Sequence, residues 1–431
     1  MKRIVGAYLF ILSLFPLLCH AQEDTIRFSL EDCLEYAFGN SYTRKSMLLG
    51  EELKEETYNQ SKLERLPGFD ASLSEGWSHS KQEGTGFTGS LGVSTSVTLY
   101  QGGTISNTIE SNKLAMEQAR YQTQQYDNEL AIKILESFLT VLGNEELLKY
   151  QEVVLLASEE QLKQGKAQYE AGVILESDYL MLESQYASGR SDIVDTGISR
   201  DNSLLSLKSL MSMEPEAELR IIYPDTTSIR QMQLLPSREF AVERAMITLP
   251  DLKISQYDVD LANMDIKLAK AGYLPTISLG GRINTGHNDF DAFGKQLTDR
   301  LGESVSLSVS IPIWDKGKTK LRTTQSRIAL QQAEYDRSQT ELNLRQLIIQ
   351  EHQNVVSAMN RYQSNIIKEE AYSKTFEAYR AMFNVGTITP VELLQQQNNY
   401  ISAMNDYVQS KYSFILRRKI LDIYMGELIK M

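Results

Sequence analysis

The chain has 431 residues and a formal net charge of −12. Its length allows two or three ordinary domains or one elongated one. An acidic balance of this size speaks against nucleic acid as a partner, because the phosphates would repel the chain.

Residues 1–21 predict a secretory signal peptide. A basic start at Lys2 and Arg3 and an apolar run over 4–18 lead to Ala21, a small residue at the expected cleavage point. Cleavage there removes two basic residues and no acid, so the net charge moves from −12 to −14. A lipoprotein signal with lipidation of Cys19 stays open as an alternative.

Chemistry-bearing residues are sparse beyond the signal. Only Cys33 remains after cleavage, in an amphipathic stretch, and we expect it to be a small buried hydrophobe. His79, His287 and His352 lack metal-ligand spacing, and phosphate loops and nucleophile elbows are absent from the sequence. We therefore expect no enzyme, no cofactor and no metal site.

Four segments predict β-strands. Residues 87–100 and 303–313 alternate small polar with apolar residues at period two, and shorter candidates follow Leu-Pro pairs at 69–79 and 276–284. The serine-rich face is typical of a hydrated lumen, and the aliphatic face is typical of contact with lipid. The edge of a soluble β-sandwich is the alternative.

The ends of these strands carry the features of a membrane-spanning hairpin. Polar, Gly-containing loops near 78–86 and 285–302 predict hairpin tips. Trp77, Tyr100 and Trp314 fall at strand ends, which suits an aromatic belt at the membrane interface. No apolar run of about 18 residues follows the signal, so a transmembrane helix is excluded while strands are not.

Four strands per chain are too few to close a barrel, so other copies of the chain are needed. Four strands of about ten residues each are long enough to cross a bilayer at a tilt. Alone they would leave unpaired edges in lipid, where backbone groups have no water to bond. A dimer or a trimer would close the sheet, and the periodicity does not choose between them.

Long helices account for most of the chain. Residues 104–171 and 318–385 each predict a helix about 100 Å long at 1.5 Å per residue. Shorter helices are predicted to follow them, over 175–213 and 389–428. A seven-residue repeat in the last one predicts a coiled-coil-like seam, formed by Leu394, Ile401, Val408 and Ile415.

The order of elements occurs twice with an offset of 214 residues. Gly103 aligns with Gly317 and Gly172 with Gly386, and the register continues to the end of the chain. Such an offset indicates duplication. We divide the chain into a first repeat over 22–213, a linker of mixed structure over 214–237 and a second repeat over 238–431.

These features resemble the TolC-like outer-membrane efflux proteins. The resemblance rests on four stretches: Ser29 to Ala37, Leu99-Tyr100-Gln101-Gly102-Gly103, Tyr169-Glu170-Ala171-Gly172-Val173, and Phe383-Asn384-Val385-Gly386-Thr387. It implies a mainly α protein with a membrane β-barrel portion. Long antiparallel helices would form a periplasmic tunnel, and a homotrimer would supply a 12-stranded barrel in outer-membrane lipid. The implied partners are a periplasmic adaptor (membrane fusion) protein and an inner-membrane RND or ABC transporter.

The resemblance also places a site at the helical turns. In relatives, acidic residues past the two glycine turns line a constricted periplasmic mouth, and Asp178 and Glu392 match those places. Ile388 stands where some relatives have a basic gating residue, and Gln395 where some have a second acid. The alternative is that both acids only favour a helix N-terminus.

The leading interpretation is therefore the passive outer-membrane conduit of a tripartite efflux system for drugs, metals or metabolites. The exit duct of a type I protein secretion system is an alternative within transport. An exported structural coiled coil without a pore is the alternative from another class.

Overall fold

A computed structural model describes residues 26–80, 84–223, 234–288 and 293–427. The predicted signal peptide, Cys19 and residues 224–233 of the predicted linker lie outside the described residues. The described helices are α1 (Leu30–Asn40), α2 (Tyr42–Leu63), α3 (Thr104–Glu170), α4 (Glu176–Leu210), α5 (Arg238–Thr248), α6 (Pro250–Ala271), α7 (Phe293–Asp299), α8 (Lys318–Asn384) and α9 (Pro390–Tyr424).

The strands form two separate sheets. Their bounds are β1 (Ile26–Phe28), β2 (Gly68–Ser80), β3 (Gly84–Gln101), β4 (Leu219–Ile221), β5 (Thr276–His287) and β6 (Gly302–Ser310). β2, β3, β5 and β6 make one antiparallel sheet in that order, while β1 and β4 pair in parallel. Long helices and four antiparallel strands are thus as the sequence predicts.

The two 67-residue helices α3 and α8 set the length of the molecule. Each begins after a glycine with positive φ, Gly103 at 82° and Gly317 at 80°, which lets the chain turn sharply from strand to helix. At 1.5 Å per residue each spans about 100 Å. The shorter helices lie beside them: α2, α4 and α6 against α3, and α5, α6 and α9 against α8.

The main hydrophobic core lies at mid-length, where α1 and the β1–β4 pair pack against the long helices. α1 starts with a capping box in which Ser29 and Asp32 bond each other's backbone N–H groups. Cys33 is fully buried there, as predicted, and burial raises the pKa of its thiol to about 12. The heptad residues Leu394, Val408 and Ile415 are likewise buried in α9.

Three details differ from the sequence-based expectations. The β1–β4 pair is new, because three-residue strands are too short to show a period. The segment expected as one polar loop over 285–302 contains helix α7. The strand expected over 303–313 ends at Ser310, and Pro312 follows, where a missing N–H cannot support a ladder.

None of the helices in the described part of the chain is both long and apolar enough to cross a membrane.

Candidate functional site

The four-stranded sheet has two chemically different faces. Residues paired across an antiparallel ladder share a face, so the register assigns each side chain. One face carries the aliphatic and aromatic residues Phe69, Leu73, Trp77, Phe87, Leu91, Val93, Val97, Ile277, Leu279, Ile283, Val305, Leu307 and Val309. The other carries Asp70, Ser72, Ser74, Thr88, Ser90, Ser94, Ser96, Thr98, Ser278, Arg282, Ser304, Ser306 and Ser308.

The apolar face is exposed in the single chain. Val305 is 82% exposed, Leu307 64% and Trp77 69%, and the strand pairing places all three on the same face. Monomeric soluble proteins seldom expose an apolar surface of this kind, so the face calls for lipid or a partner.

A β-bulge places Tyr100 on the apolar face. The ladder between β3 and β5 shifts register between Thr98 and Tyr100, leaving Leu99 as the extra residue. Val97 pairs with Leu279 and Tyr100 with Ile277, so both lie on the aliphatic side. Strict alternation along β3 would have put Tyr100 among the serines.

The predicted belt aromatics lie at opposite ends of the sheet. Tyr100 is at the end where the helices attach, and Trp314 lies just beyond β6 at the same end, 82% exposed. Trp77 lies near the other end and pairs with Phe87 on the apolar face. Their role at a membrane interface stays a prediction.

A polar pair lies within the apolar face near the far end of the sheet. Glu75 on β2 and His287 on β5 lie in one row with Gly89 of β3 between them. Because Gly89 has no side chain, the Glu75 carboxylate reaches His287 Nε2 at 3.1 Å. A Cβ at Gly89 would overlap both groups, so this glycine permits the contact.

At the other extreme of the molecule, two matching turns join the long helices to the shorter ones. Gly172 (φ 70°) and Gly386 (φ 77°) each follow a helix C-terminus. Val173 N–H donates to Gln168 O at 2.8 Å, and Thr387 N–H donates to Met382 O at 3.0 Å. This six-to-one bond with a left-handed glycine is the Schellman pattern, which explains why glycine stands at both places.

The two candidate acids beyond these turns differ in what they do locally. Glu392 completes a capping box: its carboxylate accepts from Thr389 N–H at 2.9 Å, and its own N–H donates to Thr389 Oγ1. The hydrogen bonds that the carboxylate accepts from the Thr389 N–H and the Thr389 hydroxyl lower the pKa of Glu392. The first repeat has Leu175 at the matching cap position, so Asp178 has no such partner there. Thr389-x-x-Glu392 is a capping-box signature that the sequence displays.

The local geometry therefore differs between the two acids. Glu392 acts as a helix cap, while Asp178 is a half-buried first-turn acid with its carboxylate outside a cap. A role of either in lining a pore mouth stays a prediction.

Contacts between the repeats hold this end of the molecule together. A small apolar cluster joins α4 to α8 and α9 through Leu182, Phe376, Phe383, Leu393 and Leu394. A polar cluster farther up links α3 to α9. There Glu146 accepts from Lys411 Nζ at 2.7 Å and from the Tyr412 hydroxyl at 2.7 Å. A single sequence gives no signal for such pairs, because their members are far apart along the chain.

Two glycines within α3 allow its neighbours to approach closely. A Cβ at Gly165 would overlap the Leu182 side chain of α4, and one at Gly143 would contact the Tyr412 ring of α9 at 3.4 Å. Among the described residues, no group of three or more His, Cys, Asp or Glu is arranged to hold a metal ion.

Comparison with known proteins identifies the family. The family model described as outer membrane efflux protein matches residues 45–212 and 241–427, which is most of both repeats. Outer membrane protein TolC of Vibrio cholerae is 24% identical over 338 residues, covering 76% of this chain and 74% of that protein. The alkaline protease secretion protein AprF of Pseudomonas aeruginosa is 22% identical over 324 residues, covering 73% and 64%.

The fold is shared with solved channels. The crystal structure of the Campylobacter jejuni CmeC outer membrane channel superposes with a TM-score of 0.76 at 15% identity, over 92% of this chain and 85% of that one. Three observations indicate the same family. They are the two-faced sheet joined to paired long helices, the two glycine turns and the family match. The chain belongs to the TolC-like outer membrane efflux protein family, as an outer membrane channel that extends into the periplasm.

Proposed function

We propose that three copies of this chain form a passive conduit, with a 12-stranded barrel in the outer membrane and a helical tunnel in the periplasm. The observation that carries the proposal is the isolated sheet with one aliphatic and one serine-rich face. Aliphatic residues would contact lipid, and serines would line a water-filled lumen.

Strand directions support closure by identical copies. Among the described strands, β2 and β6 each pair on one side only, which leaves two edges to be covered. β2 runs away from the helices and β6 runs back towards them, so β6 of one copy would meet β2 of the next in antiparallel fashion. Backbone groups in lipid require such partners.

The helices support the tunnel. All four strands of the sheet meet helices at the same end, so a ring of sheets would continue into a ring of long helices. α3 and α8, with their shorter neighbours, would form the wall over about 100 Å. Asp178 and Glu392 would lie at its far mouth, near Gly172 and Gly386, where a ring of carboxylates would favour cations.

Energy and cargo would come from partners. A passive conduit has no energy source of its own, so the proposal includes a periplasmic adaptor and an inner-membrane RND or ABC transporter. Small molecules (drugs, metals or metabolites) are the proposed cargo. No part of the described chain is assigned a cofactor.

Disulfide trapping tests the closure. Cysteines at Ser306 of β6 and, one at a time, at Ser72 or Ser74 of β2 should give a covalent trimer on denaturing gels. A cysteine at Ser94, on the central strand β3, is the matched control and should leave the chain monomeric. Uniform monomers for every β6–β2 pair, together with no conductance in planar bilayers, would overturn the proposal.

A protein secretion duct is the second candidate, favoured by the match to AprF, which is described as an alkaline protease secretion protein. A deletion strain separates the two cargoes. Raised susceptibility to drugs or metals with an unchanged set of secreted proteins supports small-molecule efflux. Loss of one secreted protein with unchanged susceptibility supports the secretion duct. The family match gives no support to a coiled coil without a pore.

A further inference from the structure

A cavity of about 220 Å³ lies between α3, α4 and α9, where the two repeats meet. Its polar lining consists of side chains with oxygen atoms, including Gln151, Gln397 and Asn405, with the exposed Asp192 and Asp195 at its open side, and its lining contains no lysine or arginine. This volume has room for roughly seven water molecules at about 30 Å³ each.

Gln397 is the fully buried member of this lining, and its orientation is fixed. Ser158 Oγ donates its proton to Val154 O at 3.0 Å, so it must accept from Gln397 Nε2 at 2.7 Å. Gln397 Oε1 is therefore an acceptor, and it has no hydrogen-bond partner among the described residues. Gln151 Oε1 and Asn405 Oδ1 likewise have no hydrogen-bond partner among the described residues. Buried polar atoms in proteins are normally satisfied, so the cavity calls for an occupant that is attracted to oxygen.

In the second copy, the acid at the corresponding position forms an exposed ion pair. There Lys368 Nζ bonds Asp406 at 2.8 Å, and Asn365 Nδ2 donates to Asp406 O at 3.0 Å. Subtracting the offset of 214 from 406 gives Asp192, and from 368 gives Val154. The first repeat therefore has the acid, but it has valine at the position whose ammonium group pairs with that acid in the second repeat.

A second acid adds to the negative charge at this place in the first repeat. Asp195 replaces Gln409 of the second repeat, so the first repeat has two carboxylates and no ammonium at this place. Asp192 and Asp195 are three residues apart on α4, where like charges repel. Within the ranges that the structure describes, neither takes part in an ion pair.

We propose that this cavity binds one partly hydrated divalent cation, with Ca²⁺ as the best fit. Asp192 and Asp195 would supply charge from α4, and the amide oxygens of Gln397 and Asn405 would supply neutral ligands from α9, directly or through water. Ca²⁺ accepts irregular sets of carboxylate, amide and water oxygens, whereas Mg²⁺ requires near-ideal octahedral geometry. In the first repeat the cation has the role that Lys368 has in the second: it balances the charge of the aspartate. It also links α4 of the first repeat to α9 of the second.

Calcium binding to the detergent-solubilised full-length chain tests the site. All proteins would carry Asp178→Asn and Glu392→Gln, so that the acids at the turns do not contribute. Titration calorimetry with CaCl₂ should give one site per chain, with a Kd of about 10⁻⁴–10⁻³ M as in extracellular calcium modules. Val154→Lys, which copies the second repeat, should lower the affinity at least about tenfold, as should Asp192→Asn with Asp195→Asn.

Asp201→Asn is the matched control, because Asp201 lies on the same helix, is exposed and pairs with Arg200. It should leave the affinity unchanged. If Val154→Lys fails to fold by circular dichroism, the double Asp→Asn variant and Gln397→Leu carry the test. Equal affinity in the parent and in the folded cavity variants overturns the proposal, as does an Mn²⁺-soaked crystal without an anomalous peak in the cavity. The site lies within one protomer, so this result does not depend on whether the channel conducts.

Discussion

Two acids at equivalent positions of the repeats do different work in the structure. Glu392 bonds back to Thr389, while Asp178 follows Leu175, which has no capping oxygen. The two repeats thus have an acid at the same position, but only the acid of the second repeat forms a capping box. The sequence displays the cap of Glu392 through Thr389, but it contains no information on whether either carboxylate faces a pore.

The pore-mouth hypothesis predicts separable effects for these acids. Asp178→Asn and Glu392→Gln together should reduce the cation preference of single channels in planar bilayers, because a ring of carboxylates is removed. Asp178→Asn alone should do so with a smaller loss of thermal stability than Glu392→Ala, because Asp178 is a first-turn acid outside a capping box. Selectivity identical to wild type in the double variant would leave both residues without a role in conduction.

The cap also predicts a pH dependence. Hydrogen bonds from Thr389 hold the pKa of Glu392 below its ordinary value of 4.5. A lowered pKa in the folded state stabilises the protein above the unfolded pKa, and that stabilisation is lost as the pH falls through the folded value. Glu392→Ala should therefore lower the Tm at pH 7 and lose this effect near pH 3. A Tm difference of the same size at both pH values would contradict the assignment.

Gly386 offers a test of the turn. Its φ of 77° is left-handed, and a Cβ there would contact nothing within 4 Å, so only backbone strain opposes a side chain. Gly386→Val should destabilise the turn by about 1–2 kcal/mol and impair folding or adaptor docking. Gly386→Asn is the matched control, because asparagine tolerates this conformation. Efflux and protease resistance of the valine variant equal to wild type would count against the turn assignment.

At the scale of elements, the sequence predicts the long helices and the sheet because their patterns are repeated over many residues. Alternating serine and aliphatic residues define β6, and glycines at 103 and 317 mark where strands become helices. Short or context-dependent features are different. The β1–β4 pair and the bulge at Leu99 depend on contacts between distant segments, which a single sequence does not display. Helix α7 has seven residues, too few to show a helical period.

Pairing between helices gives a prediction at this scale. The Glu146–Lys411 ion pair joins α3 to α9, and both side chains are mostly buried. Lys411→Met should destabilise the protein by about 3 kcal/mol, because a buried carboxylate loses its charge partner. Glu146→Leu combined with Lys411→Met should recover most of that loss. Chemical unfolding of the solubilised protein measures this double-mutant cycle, and simple additivity would show that the two residues are not coupled.

For the whole molecule, the two faces of the sheet predict opposite outcomes for neighbouring residues. Leu307→Arg places a charge on the apolar face and should destabilise the membrane-inserted form by about 2–4 kcal/mol if this position lies near the bilayer midplane. Ser306→Arg, one residue away on the serine face, should insert normally and lower the single-channel conductance. Membrane fractionation and bilayer recording distinguish them. Equal insertion of both variants would mean that the faces are not lipid and lumen.

The alternation of strand directions within one chain has a consequence for assembly. Each copy offers an outward strand at one border and a returning strand at the other, so a ring of any number of copies is free of mismatched neighbours. Hydrogen bonding in the sheet alone therefore imposes no stoichiometry. We therefore expect the angle at which neighbouring helices pack in the periplasm to set the number of copies, and through it the diameter of the barrel.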